Sequence, residues 1–213
     1  MEHIKTVYEQ KVDAGAQGGR VLTVRGPVTG EEVLQLPFHP GLVAFRPPAE
    51  QQRAIAEIAD LPEGRIIQAT DGKNVVAYVT FLYPDPLERW SEGKQVDLLE
   101  LGAIEVAPPF RALGLGKRLL QTAYMDDYME NYIVLTTEYY WHWDLKGTGL
   151  SVWEYRKVME KVMGSIGMEV YATDDPEITA HPANCLMVRI GKNVPQESIE
   201  QFNEIRFQRR YMY

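Results

Sequence analysis

The chain has 213 residues, 45% of them hydrophobic and 24% charged, which is enough apolar content for one sizeable core and excludes a disordered or disulfide-stapled protein. Its 30 acidic and 22 basic residues give a formal charge of -8, so any nucleic acid would bind against the overall field, and a general DNA- or RNA-binding role is disfavoured. The one cysteine, Cys185, excludes an intramolecular disulfide and a multi-cysteine metal site, and fits a reducing, cytoplasmic setting.

At the N-terminus Glu2, Lys5, Glu9, Lys11 and Asp13 interrupt any apolar core of the kind an export signal needs. No later run approaches the roughly 18 apolar residues of a membrane span, so no membrane association is expected. Without a long Gly/Ser/Pro-rich linker, one domain over residues 1–213 is the expectation.

Val21 to Arg25 has the make-up of a short strand, punctuated by Gly26-Pro27. Pro47-Pro48 precedes a helix over Ala49 to Ala59, where Ala54, Ile55, Ile58 and Ala59 form one stripe and Pro62 with Gly64 ends it. Arg65 to Thr70 and Asn74 to Tyr83 are rich in β-branched and aromatic residues, and the Asp71-Gly72 dipeptide between them makes a hairpin. Pro84-Asp85-Pro86 breaks the second strand and opens a polar loop to Asp97, with Trp90 expected to be exposed. Leu98 to Val106 is the next strand, closed by Pro108-Pro109. A glycine-containing turn leads into a helix from about Leu115 to Asp127, and Tyr132 to Thr137 follows as a strand. Strand, helix, strand in this order implies parallel neighbours, and with the hairpin it makes a mixed sheet. Val152 to Ile166 suits a helix, Met168 to Thr173 and Asn184 to Ile190 suit strands, and Pro195 to Arg210 forms a last amphipathic helix.

The turn Arg111-Ala112-Leu113-Gly114-Leu115-Gly116-Lys117 carries the chemistry. A turn between strand and helix points successive backbone N–H groups outward at the positive end of the helix dipole, and glycines let a bulky anion approach. It is a candidate pyrophosphate cradle. Two other phosphate loops fail here: one needs Ser or Thr where Arg118 stands, the other Gly where Leu119 stands.

Arg-x-x-Gly-x-Gly after a strand ending Val-x-Pro resembles the acetyl-CoA signature of the GCN5-related N-acetyltransferases, the GNAT superfamily. Longer strings, TFLYPDPLERWSEG from Thr80, TTEYYWHWDLKG from Thr136, VWEYRKVMEK from Val152 and HPANCLMVRIGKNVPQESIEQF from His181, resemble the acetoin-utilisation acetyltransferases of Firmicutes, the AcuA type. The resemblance implies an α/β (α+β) fold with a mixed central sheet flanked by helices, a core over about residues 44–192, and an additional C-terminal helix at about 195–210. It also implies acetyl-CoA as cosubstrate, held by Val106, Arg111, Ala112, Leu113, Gly114, Leu115, Gly116 and Lys117. The implied activity is acetylation of the active-site lysine of acetyl-CoA synthetase, which switches that enzyme off.

The same resemblance places the general base at Glu100 and the backbone N–H that holds the thioester carbonyl at Ile104. The chemistry asks for a base, since roughly 1 in 2,500 lysines of ordinary pKa is neutral at pH 7. Leu98, Leu99 and Leu101 beside Glu100 would raise its pKa. Glu105 is the competing carboxylate, on the opposite face by alternation unless a bulge intervenes. The tyrosine acid of many relatives falls on Met163, and Tyr139, Tyr140 and Tyr155 are substitutes by location. Trp141, His142, Trp143 and Asp144 could line the acceptor entrance.

No metal is expected: His142 and Asp144 make two ligands at best, and His3, His39 and His181 are scattered. No G-x-S-x-G exists for a hydrolase. Cys185 is expected to be a buried core thiol, and Arg206, Arg209 and Arg210 to meet the dipole of the last helix. A small-amine acetyltransferase and a catalytically weak acyl-CoA sensor stand as alternatives to the protein acetyltransferase.

Overall fold

In the computed structural model, which describes residues 1–13 and 21–208, every strand expected from the sequence is present. The chain groups into two units, Glu2–Leu82 with Leu101–Met129, and Tyr83–Glu100 with the chain from Glu130 onward.

The first unit contains β1 (Tyr8–Asp13), β2 (Val21–Gly26), α1 (Gly30–Leu34), α2 (Pro48–Ala59), β3 (Arg65–Thr70), β4 (Val75–Leu82), the second half of β5 (Leu98–Val106) and α3 (Leu115–Ala123). Strands β1 to β4 pair antiparallel in sequence order. Helix α2 packs on β3 and β4, bringing Ile55, Ala56 and Ala59 into the core. Helix α3 packs on β1 to β4 and buries Leu115, Leu119, Leu120 and Ala123. Gln51 of α2 hydrogen-bonds Tyr78, whereas Arg65 pairs with Asp126 beyond the end of α3 at 2.7 Å. Tyr78 pairs with Gln68, three residues from Arg65, so the two helices cover opposite faces of the hairpin.

Strand β1 was not expected from its composition. Glu9, Lys11 and Asp13 face solvent while Tyr8, Gln10 and Val12 are half-buried, the pattern of a charged edge strand. Helix α3 stops at Ala123, short of Asp127, because Asp126 is held elsewhere: it accepts from Arg65 and from the Thr6 N–H at 3.2 Å.

The second unit contains the first half of β5, β6 (Ile133–Glu138), α4 (Leu145–Thr148), α5 (Val152–Met163), β7 (Glu169–Tyr171), α6 (Pro176–Thr179), β8 (Cys185–Ile190) and α7 (Gln196–Arg206). Its strands lie in the order β5-β6-β8-β7. Strand β5 runs parallel to β6, with Glu100 opposite Leu135, and the other two pairings are antiparallel. The expected mixture of directions is therefore present within this unit alone. Its core joins Leu98, Ile133, Leu135, Leu186 and Val188 from the strands to Phe202 and Ile205 from α7.

Trp90 belongs to this core, packed near Phe202 at 6.3 Å and only 2% exposed, so the exposed placement expected from its polar loop is wrong. The flanking Pro84–Asp97 segment folds back because Arg89 is anchored on Asp174 at 2.8 Å and Asp175 at 3.5 Å. Helix α7 closes at Arg206, whose carbonyl accepts from the Thr173 hydroxyl and the Asp174 N–H. Arg209 and Arg210 lie outside the described residues. Among the described residues no helix is long and apolar enough to cross a membrane.

Candidate active site

In the first unit, β5 ends at Val106 and the chain turns through a 3-10 segment, Pro108–Leu113, into α3. The Ala107 N–H is tied to the Val76 carbonyl, Phe110 is buried against His39, and Arg111 Nε donates to the Val106 carbonyl. These contacts fix the base of the turn. Its tip is open: Arg111, Ala112, Gly114 and Lys117 are exposed, and Gly114 adopts a left-handed φ of 68° with nothing near the place of a Cβ. No side chain caps the start of α3, so its first N–H groups face outward at the positive end of the dipole. An anion could take up these donors without displacing a protein group.

Strand β5 is irregular just before this turn. A Cβ on Gly102 would lie 3.1 Å from Leu82 Cδ2 and 3.5 Å from Thr80 Oγ1. Three residues on, Glu105 Oε2 accepts from the Tyr78 hydroxyl at 2.7 Å. Tyr78, Thr80 and Leu82 share one face of β4, so Gly102 and Glu105 face the same side, and alternation must break once between them. That break is a β-bulge, which leaves an extra residue out of the ladder in the stretch containing Ile104. It also turns Glu105 to the face of Gly102. The second Glu105 oxygen accepts the Ala44 N–H at 2.8 Å, and the residue is buried. Both its oxygens therefore hold protein groups, which removes it from competition with Glu100.

In the second unit Glu100 is partly buried, and its carboxyl is pushed up to about 8, first by burial and then by Glu88 and Asp85. Strand β6 ends in Glu138, a buried carboxylate that accepts from Trp143 Nε1 at 3.0 Å. Burial pushes Glu138 up to about 7, against the opposing pull of the Trp143 N–H and Arg156. Trp143 stacks on Tyr155 of α5 at 5.2 Å, and the preceding Tyr139 stacks on Trp141 at 4.8 Å. Tyr140 is held by its N–H on Asn184 at 3.0 Å and by its ring against His181 at 4.2 Å. The EYYWHWD segment is thus a packed aromatic platform, with Trp141 half-exposed.

A model of the Acetyltransferase (GNAT) family matches residues 33–142. The chain belongs to this family. Over all of both chains it is 61% identical to the acetoin utilization protein AcuA of Bacillus subtilis (strain 168) and 57% identical to that of Bacillus licheniformis. The crystal structure of an acetoin utilization protein from Exiguobacterium sibiricum 255-15 is 53% identical and superposes with a TM-score of 0.94, covering 99% of this chain and 98% of that one.

This GNAT member is an acetyl-CoA-dependent N-acetyltransferase, with the family's mixed sheet and flanking helices. Its residues fit the cosubstrate at one point directly, the uncapped and open start of α3. Met163, where the resemblance led us to expect the tyrosine acid of many relatives, is fully buried and has no proton to give. Burial, with Asp175, Glu177 and Glu88 nearby, pushes the Tyr139 hydroxyl far above its ordinary value despite a hydrogen bond to Thr137. It therefore stays neutral. Cys185, across the ladder from Glu138, is pushed up to about 12 by burial and is a core thiol. Among the described residues no group of three or more His, Cys, Asp or Glu could hold a metal. Motif reasoning missed the buried carboxylate Glu138. Its only sequence sign was a carboxylate following the run Ile133 to Thr137.

Proposed function

We propose that the enzyme acetylates a lysine of acetyl-CoA synthetase and so switches that enzyme off, acting in the cytoplasm in acetoin and acetate metabolism. The full-length similarity to proteins named for acetoin utilization supports the metabolic setting. The observation that carries the catalytic reading is the partly buried Glu100, raised to about 8 beside Glu88 and Asp85. Three carboxylates in one neighbourhood attract an ammonium group, and its approach favours ionised Glu100.

Bound acetyl-CoA supplies an activated acetyl thioester. The α3 start, Gly114 to Lys117, holds its pyrophosphate through backbone N–H groups, with Val106, Arg111, Ala112 and Leu113 shaping the rim. Glu100 takes the surplus proton from the lysine amine, directly or through water, as the nitrogen bonds to the acetyl carbon. The Ile104 N–H donates to the carbonyl oxygen, which gains negative charge as the bond forms. The carbon–sulfur bond then breaks and sulfur leaves with the electron pair, taking its proton from solvent or a neutral donor. Tyr139 and Tyr140 position the acceptor, since Tyr139 is a poor acid.

The same carboxylates would also attract a small polyamine. Intact-mass measurement of purified synthetase after incubation with enzyme and acetyl-CoA decides between the two readings. One added acetyl group with matching loss of synthetase activity supports the proposal. An unmodified synthetase beside acetylated spermidine overturns it.

A further inference from the structure

Within the Pro84–Asp97 loop of the second unit Trp90 is buried, whereas Leu87 stands 96% exposed. An exposed leucine alone signifies little, but this one is held in place. Its N–H donates to Asp85 Oδ1 at 2.8 Å, and the Glu88 N–H donates to the Asp85 carbonyl at 2.9 Å, which closes a turn around it. The Ser91 hydroxyl donates to the Glu88 carbonyl at 2.8 Å, with the Pro86 carbonyl 3.1 Å away. Pro84 before the turn is buried, and Arg89 after it is locked on Asp174 and Asp175. The turn therefore presents Leu87 to a partner without the ordering cost that a mobile loop would bring.

The charges beside it say what kind of partner. Asp85 and Glu88 are exposed, and among the described residues neither forms an ion pair, while the neighbouring Arg89 is already neutralised. Both carboxylates stand close enough to Glu100 to raise it, and Glu88 also raises the Tyr139 hydroxyl, all within this unit. The acceptor amine must arrive at Glu100, so a body seated on Leu87 is the body that carries the amine. Spermidine has no apolar hollow to receive a leucine. The partner that uses this turn is a protein.

We propose that the Asp85–Glu88 turn is the docking point for the protein acceptor, with Leu87 entering an apolar hollow beside the target lysine and Asp85 and Glu88 meeting basic groups on its rim. This rests on the acetylation of acetyl-CoA synthetase proposed above. The turn selects among lysines by their surroundings: the apolar anchor supplies affinity, and the two carboxylates steer a basic rim into register. It acts in binding and not in the bond-making step.

The test uses Leu87→Met, Leu87→Ala and Leu87→Asp in the full chain, with purified synthetase as the varied substrate at saturating acetyl-CoA. Because Leu87 buries almost nothing within its own chain, melting temperatures should stay within about 2 °C of the parent. The KM for the synthetase should rise about 10-fold for alanine, with kcat within about twofold, and kcat/KM should fall about 100-fold for aspartate, the scale of burying or excluding one leucine. The methionine variant should stay within about threefold of the parent. Calorimetric acetyl-CoA affinity should be unchanged in all three.

An equal KM in the parent and the aspartate variant overturns the docking role while the synthetase remains the substrate. A fall in kcat at unchanged KM overturns it too, because Leu87 would then act on the geometry around Glu100. A matching drop in melting temperature makes the residue structural and has the same consequence. A synthetase left unmodified by the parent enzyme removes the acceptor reading first, and the docking role with it.

Discussion

The Tyr78 hydroxyl donates to Glu105 at 2.7 Å, and through this bond the strand that carries the proposed thioester contact is fastened to β4. Gln51 of α2 donates to the same hydroxyl at 3.1 Å, and Glu105 holds the Ala44 N–H, so four segments share one buried carboxylate. Replacing Glu105 by alanine strands a buried hydroxyl and a backbone N–H. The expected loss is about 1–3 kcal/mol, seen as a lower urea midpoint. Glu105→Gln, which can still accept from Ala44, should lose less. Equal stability of the parent and the alanine variant would show that the network contributes nothing.

The turn before α3 separates strain from charge. At φ 68°, Gly114→Ala meets no neighbouring atom but adopts a conformation that costs an L-residue roughly 1–2 kcal/mol. Acetyl-CoA affinity should change little. Gly114→Glu imposes the same strain and adds a carboxylate where the pyrophosphate is expected, so binding should be lost by calorimetry. Lys117→Ala should weaken affinity only modestly, because backbone N–H groups do most of the holding. Undiminished affinity in the glutamate variant moves the phosphate site elsewhere.

The elements that sequence alone revealed are those whose signal is local. Arg65–Thr70 and Val75–Leu82 announced themselves by β-branched runs around Asp71-Gly72, and the glycine turn by its spacing after Val106. Trp90 misled because a polar loop hides one buried anchor, and the force that buries it, Arg89 on Asp174 and Asp175, joins residues about 85 apart. Glu105 illustrates the same limit on a smaller scale. Its face follows from a bulge, and a bulge depends on how β5 meets β4 rather than on any residue pattern within β5. Glu138 is invisible for a similar reason, because the Trp143 N–H that it accepts comes from beyond the end of β6.

That contact can be tested by pH. Trp143→Phe keeps a ring to stack on Tyr155 but deletes the N–H that favours ionised Glu138. With the parent carboxyl at about 7, the variant's carboxyl rises further. The penalty should therefore be small at pH 6, where the group is largely protonated in both, and should grow to about 1–3 kcal/mol by pH 8.5. Denaturation curves at the two pH values measure it. A penalty independent of pH would mean that only packing was lost.

Glu100 offers a test that does not depend on the acceptor. Its folded carboxyl titrates at about 8, well above the ordinary value of 4.5, so between those values the folded chain binds more protons than the unfolded chain. Stability from this group is fully present below the unfolded value and is lost as pH rises toward and through 8. Glu100→Gln removes the ionisation, and its melting temperature should fall less than the parent's between pH 5 and 9. The same group sets the rate profile: turnover of the parent should climb as the carboxyl ionises, with the inflection moved below 8 if a cationic acceptor binds first. Glu100→Gln should lower kcat by about 10²- to 10⁴-fold near neutrality and abolish that inflection, leaving only the climb due to the amine's own ionisation. A variant that loses the stability difference but keeps full turnover would confirm the raised carboxyl and assign proton removal to another group.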